Sequence, residues 1–101
     1  MNYRLHIFEV RKTDVFLKWF KSLRDIRAQA RIQIRIDRLE LGLLGDAKFF
    51  EGIGEMRIDY GPGYRVYFVQ RGQEIIILLC GGDKSTQSKD IKLAKDTAKE
   101  I

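Results

Sequence analysis

The sequence predicts an α+β domain: an N-terminal helix hairpin packed on a mainly antiparallel sheet, with a short helix closing the chain. Three observations carry this. Apolar residues recur at helical spacing from Thr13 to Leu41 and at strand spacing from Lys48 to Cys80. Tight turns, Gly61-Pro62-Gly63 and Arg71-Gly72-Gln73, join the strand-like segments. The length of 101 residues, without linkers or repeats, fits a single domain, 1–101.

Tyr3 to Val10 reads as the first strand, with Tyr3, Leu5 and Ile7 on one side and Arg4, His6 and Phe8 on the other. Phe16, Trp19, Phe20 and Leu23 then fall at i, i+3, i+4 and i+7, the buried stripe of a helix capped by Thr13 or Asp14. A second helix runs from about Asp25 to Leu41 and stops at Gly42. Ala28, Ile32, Ile36 and Leu39 form one flank of it, and Ala30, Ile34 and Leu41 another. Between the flanks Arg24, Arg27, Arg31, Arg35 and Arg38 share an arc of about 80°.

The second half is β. Strands are expected over Lys48–Ile53, Glu55–Tyr60, Tyr64–Gln70 and Glu74–Cys80, the last apolar on both faces and therefore central. Ile91, Ala94, Ala98 and Ile101 then give a short final helix. The order is β-α-α-β-β-β-β-α.

Composition narrows the function. Lys plus Arg number 19 against 14 acids, and the resulting charge of +5 favours an anionic partner. With one cysteine, Cys80, and one histidine, His6, there is no internal disulfide, no Cys/His zinc site and no proton relay between two histidines. No Walker or dinucleotide pattern occurs, so neither metal nor cofactor is expected. The opening residues lack the apolar run of a signal peptide, and no stretch approaches ~18 apolar residues. A cytoplasmic domain with no membrane partner is expected.

Alternation along the strands sorts the chemistry. Met56, Ile58 and Tyr60 form an apolar face, as do Tyr64, Val66 and Phe68; Glu55, Arg57, Asp59, Arg65, Tyr67 and Val69 point the other way. If the hairpin covers the apolar face, Arg57, Arg65 and Tyr67 gather on the open one, and Lys84 closes the cluster. The alternative is a solvated face on which Glu55 and Asp59 pair these cations. Gly81-Gly82 fits either a phosphate-binding backbone nest or a turn. Trp19, Cys80 and His6 read as structural.

Three stretches carry a resemblance: Glu55-Met56-Arg57-Ile58, Gly61-Pro62-Gly63-Tyr64-Arg65-Val66-Tyr67-Phe68, and Leu79-Cys80-Gly81-Gly82-Asp83-Lys84-Ser85. They resemble the RelE/ParE toxin superfamily, most closely its HigB-like branch of addiction-module killer proteins. Ala28 to Ile32, Asp37 to Leu39 and Gly45-Asp46 also fit that branch. The resemblance implies a small twisted antiparallel sheet with an N-terminal helix hairpin. It also implies metal-independent cleavage of mRNA in the ribosomal A site. By position Arg65 matches the arginine after the hairpin turn, Arg57 a basic position on the preceding strand, and Lys84 the basic residue after the last strand. The chain departs from the pattern in having lysine at 84 and no C-terminal tyrosine or histidine. Proton transfer then falls to Tyr67, Glu55 or Lys84.

The resulting expectation is the toxin of a type II toxin–antitoxin system, a ribosome-dependent mRNA endonuclease that inhibits translation. Its implied partners are a helix-turn-helix antitoxin, the ribosome and mRNA. Arginine keeps its proton at neutral pH, so Arg57 and Arg65 are phosphate clamps rather than bases. Arg27, Arg31, Arg35 and Lys48 are the RNA-binding candidates; the alternatives for the arginine row are a solvated face or an acidic partner. One different reading is a ParE-type poison of DNA gyrase, which would need no phosphate clamp. Another is a catalytically weak relative that binds nucleic acid.

Overall fold

The computed structural model describes residues 7–101. The chain enters as β1 (Glu9–Lys12) and turns at Thr13 into α1 (Asp14–Ser22). The Thr13 oxygen accepts the Phe16 N–H at 3.0 Å, the N-cap bond, while its hydroxyl donates to the Leu79 carbonyl at 2.7 Å. The described strand runs two residues past the predicted end at Val10, and Tyr3 to His6 lie outside the described residues. Phe8 and Val10 pack on the core, and Ile7 is exposed. Parallel pairing with a later strand, Glu9 opposite Ile75 through Lys12 opposite Leu78, fixes this position.

Asp25 caps α2 (Ile26–Glu40), its Oδ1 accepting the N–H groups of Arg27 and Ala28. Of the two apolar flanks, Ala28, Ile32, Ile36 and Leu39 are buried. Ala30, Ile34 and Leu41 face outward. Gln29 reaches back and donates to the carbonyls of Phe20 and Leu23, tying the end of α1 to α2.

The sheet continues through β2 (Ala47–Phe50), β3 (Ile53–Ile58), β4 (Tyr64–Arg71) and β5 (Ile75–Gly82) in the spatial order β1-β5-β4-β3-β2. Every neighbour pair but β1–β5 is antiparallel. Glu51 and Gly52 both have positive φ, 51° and 86°, the two-residue hairpin geometry whose twist matches the strands. The break thus falls there and not at Gly54, which lies within β3 where a Cβ would overlap the Phe68 ring. β4 holds the middle of the sheet; β5, covered on both faces, stands beside it.

Phe16, Ile32, Ile36 and Leu39 of the hairpin meet Met56, Val66, Phe68 and Leu78 on one face. The other face is not open, contrary to the sequence reading. After a short 3-10 turn at Lys84–Thr86, α3 (Gln87–Glu100) lies across it. Its Ala94 and Ile91 meet Ile53, Tyr67, Val69, Leu79 and Cys80. These residues make a second apolar face, which costs free energy in water and therefore recruits the terminal helix. The Cys80 thiol, pushed up to about 12 by burial and then by Asp90, stays protonated there.

A bulge between Tyr67 and Phe68 of β4 and Leu78 and Cys80 of β5 shifts the register by one residue. Beyond it Gly81 faces the hairpin and Gly82 faces α3. A Cβ at Gly81 would overlap the Trp19 ring, and one at Gly82 the Asp90 carboxylate. The glycine pair is neither a nest nor a turn but two points of close approach. Gly81→Ala is expected to lower stability by about 2–3 kcal/mol through overpacking, read as a fall in the urea midpoint without a change in slope. An unchanged midpoint would refute the close approach of Trp19.

The Tyr60 hydroxyl donates to Asp25 Oδ2 at 2.8 Å, so the cap of α2 is linked to the β3–β4 turn. That bond lowers the Asp25 pKa and raises that of Tyr60. The stability it contributes is present above the unfolded carboxyl value, about 4, and is lost as pH falls through the depressed folded one. It is present below the unfolded phenol value, about 10, and is lost as pH rises through the raised folded one. The gap in urea midpoint between the natural chain and Tyr60→Phe should therefore be widest near neutrality and close at both extremes. A gap constant across the pH range would show that the bond is not its source.

Candidate functional site

The β3–β4 hairpin places arginine against arginine. Arg57 and Arg65 are directly opposite in the register, next to the pair Glu55 and Tyr67. Like charges facing across a strand pair are destabilising unless offset, and each guanidinium has an acid from elsewhere. Arg57 donates from Nη2 (2.8 Å) and Nε (3.2 Å) to Asp46 Oδ1, just before β2. Arg65 has its Nε 3.9 Å from Glu55 Oε2 and donates from Nη1 to the Gly63 carbonyl at 2.6 Å. The Arg57 side chain is 42% exposed and that of Arg65 only 12%.

The pair opens onto a shallow cleft of about 300 Å³, lined by Asp46, Arg57, Ile58, Asp59, Gly63, Tyr64 and Arg65. Lys84 flanks it. Its backbone N–H donates to the Pro62 carbonyl, and its Cβ lies against the space left by the missing side chain of Gly63. Asp83 fixes the 3-10 turn that carries Lys84, accepting at 2.8 Å from the Ser85 N–H. The Ser85 hydroxyl bond holds the Asp83 carboxyl below its ordinary range. Arg57, Arg65 and Lys84 are thus brought to one end of the sheet, as the sequence suggests.

Glu55 and Tyr67 do not join them at the surface. Both are fully buried beneath α3. Gln87 Nε2 donates to Glu55 Oε2 at 2.9 Å, and exposed Lys48 stands 3.8 Å from Oε1. Glu55 Oε1, Arg65 Nε and the Tyr67 hydroxyl converge without hydrogen-bond partners among the described residues. Burial, then the Glu55 charge, drives the Tyr67 pKa well above its ordinary value. Tyr67 therefore keeps its proton at neutral pH and is neither an acid nor a base there.

The arginine row on α2 is divided. Arg27 is exposed, while Arg31 lies 4.7 Å over the centre of the Tyr60 ring. Arg35 turns inward and donates to the carbonyls of Leu44 (3.0 Å), Asp46 (3.2 Å) and Arg57. Burial lowers its pKa and Asp46 opposes that shift. Arg35 is a structural clamp, not an RNA contact, and the helical period alone does not reveal this. Lys48 sits on the edge strand, 5.5 Å over the Phe50 ring. Asp46, Tyr64 and Gln87 join the site although the sequence does not mark them as candidates. Gly45-Asp46 was visible as a motif, but nothing in the strand alternation ties it to Arg57.

No protein-family model matches the chain. An uncharacterised protein of Haemophilus influenzae is 50% identical over 94 residues, spanning 92% of this chain and 95% of that protein. Among solved structures, a double mutant of the E. coli toxin RelE in the free state superposes with a TM-score of 0.70 at 11% identity. That match covers 94% of this chain and 98% of RelE. The likeness shows the fold: three helices and a five-stranded mixed sheet arranged as in RelE.

Arg35→Gln should destabilise the chain by about 2–3 kcal/mol, since three carbonyls lose a charged donor. Arg27→Gln should stay within about 0.5 kcal/mol of the natural chain in the same urea titration. A change for Arg35→Gln as small as that for Arg27→Gln, within about 0.5 kcal/mol, would place both arginines in solvent.

Proposed function

We propose a function from the premise that the chain belongs to one family with the Haemophilus influenzae protein and has the fold of the E. coli toxin RelE. In this reading it is the toxin of a type II toxin–antitoxin pair of the HigB-like branch, and it cuts mRNA on the ribosome. A helix-turn-helix antitoxin would neutralise it. The observation that carries the reading is the Arg57–Arg65 pair on an open cleft with Lys84 at its rim. Two fixed guanidinium groups bind phosphate oxygens bidentately and stabilise the charge of a pentacoordinate phosphorus.

The chemistry is attack of a ribose 2′-oxygen on the adjacent phosphorus, with the bond to the 5′-oxygen breaking. A phosphate entering the cleft competes with Asp46 for Arg57 and frees that carboxylate to take the 2′-hydroxyl proton. Lys84 gives its proton to the leaving 5′-oxygen. Glu55 and Tyr67, buried behind Arg65, act as positioning residues for its guanidinium. The ribosome supplies orientation of the substrate, worth several kcal/mol.

The expected products carry a 5′-hydroxyl and a 2′,3′-cyclic phosphate or its 3′-phosphate, and EDTA should not stop their formation. On programmed ribosomes, Arg57→Ala, Arg65→Ala and Asp46→Asn should each lower the single-turnover rate by about 10²–10³-fold, more than they weaken binding. Lys84→Arg should keep little of the rate, because arginine does not release a proton. Metal-dependent cutting or 5′-phosphate products would overturn the mechanism. DNA damage with intact mRNA after brief induction would instead indicate a gyrase poison.

A further inference from the structure

A groove of about 270 Å³ runs between α2 and the end of β3, beside the cleft. Arg31, Ile34, Arg35 and Arg38 form one wall, and Ile58 and Asp59 the other. Arg31 and Arg38 stand two helical turns apart, within ~20° of each other, with Arg35 between them. Like charges at these spacings repel. Burial lowers the Arg35 pKa, Asp46 opposes that shift and Arg38 adds to it. Arg35 directs its donors to carbonyls, whereas Arg31 and Arg38 join no ion pair among the described residues. The Arg31 guanidinium lies 4.7 Å over the Tyr60 ring, which fixes its place and uses none of its N–H donors. Asp59 is the spare acid. Arg57 has Asp46 and Arg65 has Glu55, and among the described residues Asp59 has no ion pair or side-chain hydrogen bond.

Unpaired guanidinium groups on one wall, isoleucine between, and an unpaired carboxylate opposite have a definite complement. It is a ligand with an anion at one end, a flat apolar middle and a hydrogen-bond donor at the other. Bare phosphate does not fit, because Asp59 repels it and the isoleucines give it nothing. We propose that the groove is a nucleotide subsite: the phosphate lies between Arg31 and Arg38, the base covers Ile34, and an exocyclic amino group of the base donates to Asp59. Adenine, cytosine and guanine carry such an amino group and uracil does not. The volume lies at the small end of ligand sites, which begin at ~300 Å³, so it suits a single nucleotide. That nucleotide is either free or the neighbour, in one strand, of a phosphate in the cleft, with which the groove shares Ile58 and Asp59. The subsite does not rest on the cleavage reading.

Methyl NMR of the full chain at low salt tests this, with AMP, UMP, adenosine and inorganic phosphate as titrants. AMP should move the Ile34 methyl resonances through the ring current of its base. It should bind about tenfold tighter than adenosine or phosphate alone, and tighter than UMP. Arg31→Gln with Arg38→Gln should weaken AMP about tenfold while the folded methyl spectrum is retained, since two charged donors are lost. Asp59→Asn should tighten inorganic phosphate and erase the preference for AMP over UMP, because an amide carries no charge and both accepts and donates. Arg57→Ala, in the cleft, should leave the AMP shifts at Ile34 in place. Oligodeoxyadenylate, which lacks the 2′-oxygen and cannot be cut by its attack, separates the two sources. Binding tighter than AMP that falls to the AMP value in Arg57→Ala assigns the subsite to a strand in the cleft; binding no tighter than AMP assigns it to a free nucleotide. An Ile34 methyl that AMP does not move, phosphate as tight as AMP, or an Asp59→Asn chain that still prefers AMP would overturn the proposal. No arm reads cleavage, so failure here leaves the nuclease reading standing, and failure of that reading leaves this one.

Discussion

Two layers close onto the backbone of β5 at Gly81 and Gly82, and the positions of the other working parts follow from that contact. Trp19 of α1 occupies the space over one glycine, and Asp90 and Thr86 occupy the space over the other. Any side chain at either point would push a layer away from the sheet. With the start of α3 held against Gly82, the 3-10 turn before it has little freedom. Lys84 is then carried to the β3–β4 turn, and Gln87 to Glu55. Packing at two residues without side chains thus sets where a surface charge and a buried hydrogen bond sit.

The electrostatics of the cleft are a second consequence. Strands lie about 5 Å apart, so Arg57 and Arg65 repel unless something negative comes between or behind them. Asp46 and Glu55 do this from different elements and in different media. The Asp46 pair is exposed, where an ion pair is worth little and is readily exchanged. Glu55 is sealed under α3, and its charge is not available to solvent. One guanidinium is therefore open to exchange with an incoming anion, while its neighbour is held in place. This asymmetry suits a phosphate clamp better than two equally paired arginines would.

Much of this was legible in the sequence where one period governed a segment. Phe16 and the Ala28, Ile32, Ile36, Leu39 flank are buried, and Val66 and Phe68 face away from Tyr67 and Val69, as the helical and strand periods require. The basic cluster of Arg57, Arg65 and Lys84 follows from the same alternation plus one tight turn. The failures came where a tertiary partner decided. Tyr67 and Glu55 read as open-face residues because the apolar content of α3 is modest, and its role depends on the Val69, Leu79 and Cys80 surface it meets. Arg35 is indistinguishable from Arg31 by period, yet carbonyls of the loop before β2 and of β3 draw it inward. The two-residue turn at Glu51-Gly52 required a left-handed glutamate, which strand propensity does not signal.

The α2 groove and the cleft are not separate places. They share Ile58 and Asp59, and Arg35, which lines the groove, donates to the backbone carbonyls of both Asp46 and Arg57. A charge brought to the groove therefore stands beside the wall that carries Arg57, too near for salt to screen fully. An anion held between Arg31 and Arg38 would lower the positive potential that draws a phosphate in, without touching the guanidinium pair. The coupling is electrostatic and runs through a rigid wall, so it requires no movement of the sheet. Asp59, exposed and shared by both, opposes an anion in either place, so each relies on the guanidinium groups of its own wall, Arg31 and Arg38 in the groove and Arg57 and Arg65 in the cleft.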